Sequence, residues 1–250
     1  MFSLLLHPMP EEEDYLIAEL AECGVAGITE ESGGLRAFFE ADVEAGALRE
    51  RFVEFRPEFS QVEPVDWAKV SRDAWPPLLI GERFFLVAPW SEAETPPGRL
   101  RLEIEPGMAC GTGRHPATQL CLEALEKCVR PGSAVLDVGT GSGILASAAQ
   151  LLGARTVIAC DLDPEAVAIA RSRVPVSMFV GSTNAVRPHS LDLIVANIDS
   201  AVVEQLALEL ERVRGPGSTL ILSGFPEWDI PQGFQPKQRL QQKEWVCLVC

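Results

Sequence analysis

Apolar and polar positions alternate with two different rhythms along the chain. In the first sixty residues, FSLLLH, GVAGITEE, LRAFFE and FSQVEPV are short apolar or alternating runs and predict strands. Residues 11–23 carry Tyr15, Leu16, Ala18 and Leu20 at helical spacing, and residues 43–55 read as a second helix. Ser32-Gly33-Gly34 is a hairpin signal before LRAFFE. The order βαββαβ predicts a ferredoxin-like split motif, a small domain over residues 1–62. Residues 63–77 predict a connecting helix stopped by Trp75-Pro76-Pro77. RFFLVAPW and RLRLEIEP follow as strands around the turn Thr95-Pro96-Pro97-Gly98, and 116–128 predicts a helix with proline in its first turn. From Ser133 onward the pattern becomes strand, glycine loop, helix, strand: SAVLDV, DVGTGSG, ILASAAQLL, RTVIACD. Asp163-Pro164 starts another helix, SMFV, LDLIVAN and STLILSG are further strands, 201–213 is helical, and KEWVCLV closes the chain. Alternating strands and helices over 78–250 predict an α/β domain with a doubly wound, Rossmann-like, mostly parallel sheet.

Composition changes this picture little. The 250 residues are 47% hydrophobic and 23% charged, ordinary for a globular protein. No apolar run reaches 18 residues, and MFSLLLHPMPEEEDY lacks a basic start and turns acidic early, so it reads as a poor signal peptide. Seven scattered cysteines fit free thiols in a cytoplasmic protein. Cys247 and Cys250 form a C-x-x-C on a predicted strand, where such positions face opposite ways, so no metal site is expected. Cys121 and Cys128 lie on one helix face and read as core, as do the five tryptophans. Charge is more informative. Of the net −15, residues 1–60 hold fourteen Asp and Glu against four Arg. That surface repels phosphate backbones and suits a basic protein partner, unless it serves solubility alone. A monomer without nucleic-acid or membrane partners is expected.

Two glycine clusters carry the candidate chemistry, EPGMACGTGRHPAT at 105–118 and DVGTGSG at 137–143. In the second, a strand runs into Gly139, Gly141 and Gly143 and then a helix, which lets backbone approach a ligand closely or merely makes a tight turn. The spacing is G-x-G-x-G, with Ile144 where a dinucleotide fingerprint places its third glycine. Asp137, two residues before Gly139, repels a pyrophosphate but suits a ligand with a cationic amino acid tail. Asp161 ends the second strand, where a carboxylate accepts both hydroxyls of a ribose. Ribose and cation without pyrophosphate point to S-adenosyl-L-methionine.

DVGTGSG followed by CDLDP resembles the cofactor site of class I methyltransferases, and PGMACGTGRHPATQLCLEAL is similar to the segment marking the ribosomal-protein-L-eleven lysine methyltransferases. Asn197 in LIVANI, the stretch VDWAKVSRDAW and the closing KEWVCLV match that family too, so the likeness covers roughly residues 60–250. It implies that Thr118, Gly139, Asp161 and Asn197 contact the cofactor, and that GTGRH is a flap folding over it. It also implies an N-methyltransferase acting on lysine or N-terminal amines of a large-subunit ribosomal protein, recognised by the N-terminal domain. Departures from the family pattern bear on substrate choice: Cys110, Ala117, Val70 and Trp75 replace other residues, and the last helix is cut down between LILSG and KEWV.

Methyl transfer from a sulfonium needs a neutral, aligned, desolvated amine more than acid-base chemistry. The amide oxygen of Asn197 is a candidate to hold the incoming N–H, or else Asn197 is a strand-end turn residue. His115 is a candidate base, a loop residue or a helix cap. The reading is a two-domain S-adenosylmethionine-dependent protein methyltransferase. The alternatives are an amine methyltransferase on another protein or a small molecule, and a non-catalytic binding module on the same fold. Ile144 and Asp137 oppose a dehydrogenase.

Overall fold

The computed structural model describes residues 1–9, 12–31, 34–40, 43–61, 75–105 and 113–250. The chain divides into two compact units, Met1–Asp73 and Ala74–Cys250. The connecting helix expected at 63–77 falls, through residue 74, outside the described residues, as do Ser32 and Gly33 of the hairpin signal.

The first unit runs β1 (Phe2–Leu6), α1 (Glu13–Glu22), β2 (Gly27–Glu31), β3 (Gly34–Phe39), α2 (Ala45–Arg51) and β4 (Glu58–Gln61). Its sheet has the order β2-β3-β1-β4 with every pair antiparallel, the split βαββαβ arrangement predicted. Alternation explains the core. Leu4 and Leu6 point to one face, pair with Ala37 and Leu35, and meet Leu16 and Leu20 of α1 and Leu48 of α2. The second helix is shorter than expected, because after Arg51 the chain tightens into a 3₁₀ turn over Val53–Phe55. Residues three apart eclipse in such a turn, so Phe52 and Phe55 enter the core together.

The second unit opens with β5 (Leu78–Ile80), β6 (Phe84–Val87) and β7 (Leu100–Glu103) in one small sheet. β6 and β7 pair in parallel, not as a hairpin. The long connection makes this possible, and arginines hold it: Arg101 donates to the carbonyls of Ser91 and Ala93, and Arg99 to that of Gly81. α3 (Pro116–Cys128) follows with the predicted bounds.

The large sheet takes β8 (Ala134–Val138), β9 (Thr156–Asp161), β10 (Ser177–Val180), β11 (Leu191–Asn197), β12 (Arg214–Pro226), β13 (Gln238–Gln242) and β14 (Trp245–Val249). Their order is β10-β9-β8-β11-β12-β14-β13, parallel through β12 and antiparallel thereafter. α4 (Ile144–Leu151), α5 (Pro164–Arg173) and α6 (Ser200–Val213) are the crossovers. Central strands β8 and β11 are buried almost throughout, so they read as continuous apolar runs. Two apolar clusters form, with Val135, Val195, Ile221 and Cys247 in one and Leu136, Ile194, Leu222 and Cys250 in the other. Neighbouring strand residues alternate between them, and the C-x-x-C thiols separate accordingly. β13 was not legible in the sequence: it is an edge strand whose only apolar residue is Leu240. Between β12 and β13, residues 227–237 form turns and contain no helix.

Strand order reverses beside β8, with β9 on one side and β11 on the other. Crossovers leave the sheet in opposite directions there, opening a crevice at the carboxyl ends of β8 and β11.

Candidate active site

The glycine loop joins β8 to α4 at that crevice. Gly139, Gly141 and Gly143 have φ of 70°, 52° and 83°, left-handed values that side chains resist. The Gly139 and Thr140 N–H groups donate to the Cys160 carbonyl at 2.9 and 3.1 Å, closing the loop against β9. A Cβ on Gly139 would strike the Ile198 side chain, so glycine is needed for both conformation and space.

Asp137 lies beneath the loop with 0% of its surface exposed. Its Oδ2 accepts from the Thr140 hydroxyl at 2.7 Å and the Ala146 N–H at 3.0 Å. Its Oδ1 is buried and has no hydrogen-bond partner among the described residues. Burial pushes the carboxyl up to about 6, the two hydrogen bonds pull the other way, and the nearby Asp161 charge adds to the rise. An unpartnered carboxylate oxygen under a glycine loop is a place for a cation, as an amino acid ammonium provides, and a poor one for pyrophosphate. The donor set thus fits S-adenosyl-L-methionine.

Asp161, at the end of β9, turns its carboxylate toward the same loop. Oδ2 accepts from the Gly141 N–H at 2.9 Å and Oδ1 from the Asp163 N–H at 3.1 Å. Each oxygen retains a lone pair, so two hydroxyls can still be received. Asn197 ends β11 across the crevice, opposite Ser223 in register. Its Nδ2 donates to Thr118 Oγ1 at 3.1 Å, which leaves Oδ1 free of that bond. Thr118 is only 1% exposed, on the first turns of α3. Thr118, Asp137, Gly139, Gly141, Asp161 and Asn197, spread over eighty positions of sequence, are therefore gathered from α3, β8 and its glycine loop, β9 and β11 at the carboxyl edge of one sheet.

The upstream cluster is only partly visible. Residues 106–112, with Gly111 and Thr112 of the expected flap, lie outside the described residues. Past them, His115 accepts from the Ala117 N–H through Nδ1 at 3.3 Å and caps α3, its ring edge-on to Trp245 at 4.3 Å. Of its three readings, the helix cap is the one the geometry gives. Arg114 lies 4.8 Å over the Trp75 ring and donates to the Pro76 carbonyl.

Two features of the site escaped the sequence. Gly224, in β12, has a φ of 103°, and a Cβ there would lie 2.5 Å from the Ile198 carbonyl oxygen and 2.7 Å from its nitrogen. The backbone after Asn197 is packed directly on it, and nothing local in SGFP announces that. Gly224→Ala should therefore displace the Asn197–Ile198 segment and lower stability by about 2 kcal/mol, measurable as a shift in the urea midpoint. Trp228 is the second. Core packing is the expectation for all five tryptophans, but Trp228 is 74% exposed.

Strand order, crevice, glycine loop and the two carboxylates define an S-adenosylmethionine-dependent methyltransferase of the doubly wound kind. A family model described as Ribosomal protein L11 methyltransferase (PrmA) matches residues 9–250, and the chain belongs to that family. It is 36% identical over 241 residues to a ribosomal protein L11 methyltransferase of Geobacter metallireducens, covering 86% of this chain and 80% of that one. The corresponding protein of Burkholderia lata is 42% identical over 185 residues, 72% of this chain and 61% of the relative. Among solved structures, ribosomal protein L11 methylase from Lactobacillus delbrueckii subsp. bulgaricus superposes with a TM-score of 0.62 at 26% identity, over 69% of this chain and 96% of that one.

Proposed function

We propose that the chain transfers a methyl group from S-adenosyl-L-methionine to lysine or N-terminal amines of ribosomal protein L11, in the cytoplasm. Residues 1–62 serve as the recognition domain, 63–77 as the linker and 78–250 as the methyltransferase domain. The observation that carries this reading is the hydrogen bond from Asn197 Nδ2 to Thr118 Oγ1 at the crevice. It sets the amide so that Oδ1 can accept an N–H of the incoming amine. The names of the relatives supply the substrate.

In this scheme the cofactor supplies an electrophilic methyl on a sulfonium. Asp161 receives the ribose hydroxyls, Asp137 the ammonium, and Gly139 and Gly141 bring backbone close to the ligand. Thr118 contacts the methionine end. Asn197 touches both cofactor and amine, and aligning the nitrogen supplies most of the rate. The first unit has acid to spare for a basic partner. Arg36 is bound to Glu31, Arg51 to Glu19 and Glu22, and Arg49 lies over Phe59, so much of its positive charge is already committed.

Labelled methyl donor and purified ribosomal proteins test the proposal. Label is expected in L11, and Asn197→Ala should lower kcat at least about tenfold. Label on small amines but on no ribosomal protein would move the small-molecule alternative ahead.

A further inference from the structure

Trp228 is the most exposed aromatic residue of the second unit among the described residues. It sits on a short turn beyond β12, and that turn is held from several sides. The Asp229 N–H donates to the Pro226 carbonyl at 3.0 Å and the Glu227 N–H to the Glu244 carbonyl at 2.8 Å. Asp229 Oδ2 accepts the Ser200 hydroxyl at 2.5 Å, and Glu204 accepts the Gln232 N–H at 2.7 Å. Downstream, Ile230 and Phe234 pack against the apolar cluster. A turn tied at so many points is rigid, yet its largest side chain is left in water. The absence of a helix over 227–237 is what allows this: turns pack Ile230 and Phe234, partly buried, against the cluster and leave Trp228 standing outward.

Its position is specific. Ser200 is the first residue of α6, three beyond Asn197, and the Ile198 N–H donates to the Ser223 carbonyl at 2.9 Å. The turn bearing Trp228 is thus fastened to the segment that follows Asn197, on the carboxyl edge of the sheet. Charge around it is predominantly negative, with Arg239 as a counter-charge. Asp199, Glu227 and Asp229 are exposed, Asp199 and Asp229 make no ion pair among the described residues, and Glu227 has only Arg239 at 3.8 Å. An indole face with carboxylates beside it attracts a cationic side chain with an aliphatic stem, through cation–π attraction and Coulomb energy together.

We infer that Trp228 is a specificity-determining residue that receives a basic side chain flanking the methyl-accepting amine of the substrate polypeptide. This rests on the proposed methyltransferase reading. The acceptor amine must itself be neutral to react, so the cation on Trp228 belongs to a neighbouring Lys or Arg. A rigid, presented aromatic loses little freedom on binding, which is why such residues anchor interfaces.

Steady-state methylation of L11 by the full chain decides the point. Trp228→Ala should raise KM for the protein substrate about fivefold, with kcat within about twofold. The affinity for S-adenosyl-L-methionine in calorimetry should not change, and Trp228→Phe should recover most of the KM. A merely structural role would instead lower the melting temperature and fail to respond to Phe. An unchanged KM in Trp228→Ala, with wild-type turnover intact, overturns the inference alone. Absence of any label with the wild type overturns the methyltransferase reading itself.

Discussion

Asp161→Ala should weaken binding of S-adenosyl-L-methionine at least about tenfold in calorimetry. Hydrogen bonds to a charged acceptor contribute about 1.5–3 kcal/mol each, so two ribose hydroxyls represent roughly 3–6 kcal/mol gross, and a tenfold loss is a conservative part of that. Asp161 also receives the Gly141 and Asp163 N–H groups, so removing it loosens the loop as well as the ribose site. Asp161→Asn separates the two effects: it keeps one acceptor for the loop and loses the charge. A nicotinamide dinucleotide should not bind the wild type. Ile144 is packed in the apolar cluster where a third glycine would open room, and Asp137 lies under the position of a pyrophosphate. Equal affinity of Asp161→Ala for the methyl donor would sink the ribose assignment.

Asp137→Asn should stabilise the protein at pH 7 and flatten its pH dependence. The folded carboxyl titrates at about 6 against an ordinary 3.8, chiefly because it is buried. Between these values the folded state keeps a proton that the unfolded state has lost, so stability falls as pH rises from about 4 to about 6. The difference of about two units corresponds to about 3 kcal/mol, fully felt at pH 7 and absent below pH 4. The asparagine amide cannot ionise, and its oxygen can accept the Thr140 and Ala146 bonds. Its NH₂ group would take the place of the unpartnered oxygen, which offsets part of the gain. A rise of several degrees in Tm at pH 7, with little change at pH 4, is expected from scanning calorimetry. The same variant should bind S-adenosyl-L-methionine more weakly, because the charge opposite the ammonium is gone. Stability lost to a buried charge and recovered in ligand binding is the usual trade at functional sites. Parallel stability curves for the two proteins across pH 4–7 would refute the assignment.

Much of this molecule was legible in the order of its residues. Apolar runs such as VLDV and LIVAN must be buried on both faces, and glycines at alternate positions must turn, so a doubly wound sheet with a ligand loop after β8 followed from local chemistry. Pro116 and Pro164 marked helix starts for the same reason, since proline is pre-set for the first turn. Asp137, Asp161 and Asn197 could be singled out because a strand's end beside a glycine loop is where side chains meet ligands. What the sequence could not state was which elements meet. The parallel pairing of β6 with β7 depends on where the connection crosses, and edge strand β13 has too few apolar positions to announce itself. The Asn197–Thr118 bond, the seat of Ile198 on Gly224 and the unpartnered oxygen of Asp137 arise only when distant segments pack. Trp228 shows the same limit from the other side. A tryptophan's hydrophobicity favours burial, but whether burial happens depends on the volume its neighbours leave, and here Ile230 and Phe234, partly buried, are the residues of that segment that pack against the core. Local propensity is a property of each residue and its near neighbours, whereas burial, pKa and partnership are set by segments remote in sequence, and only the tertiary structure brings those together.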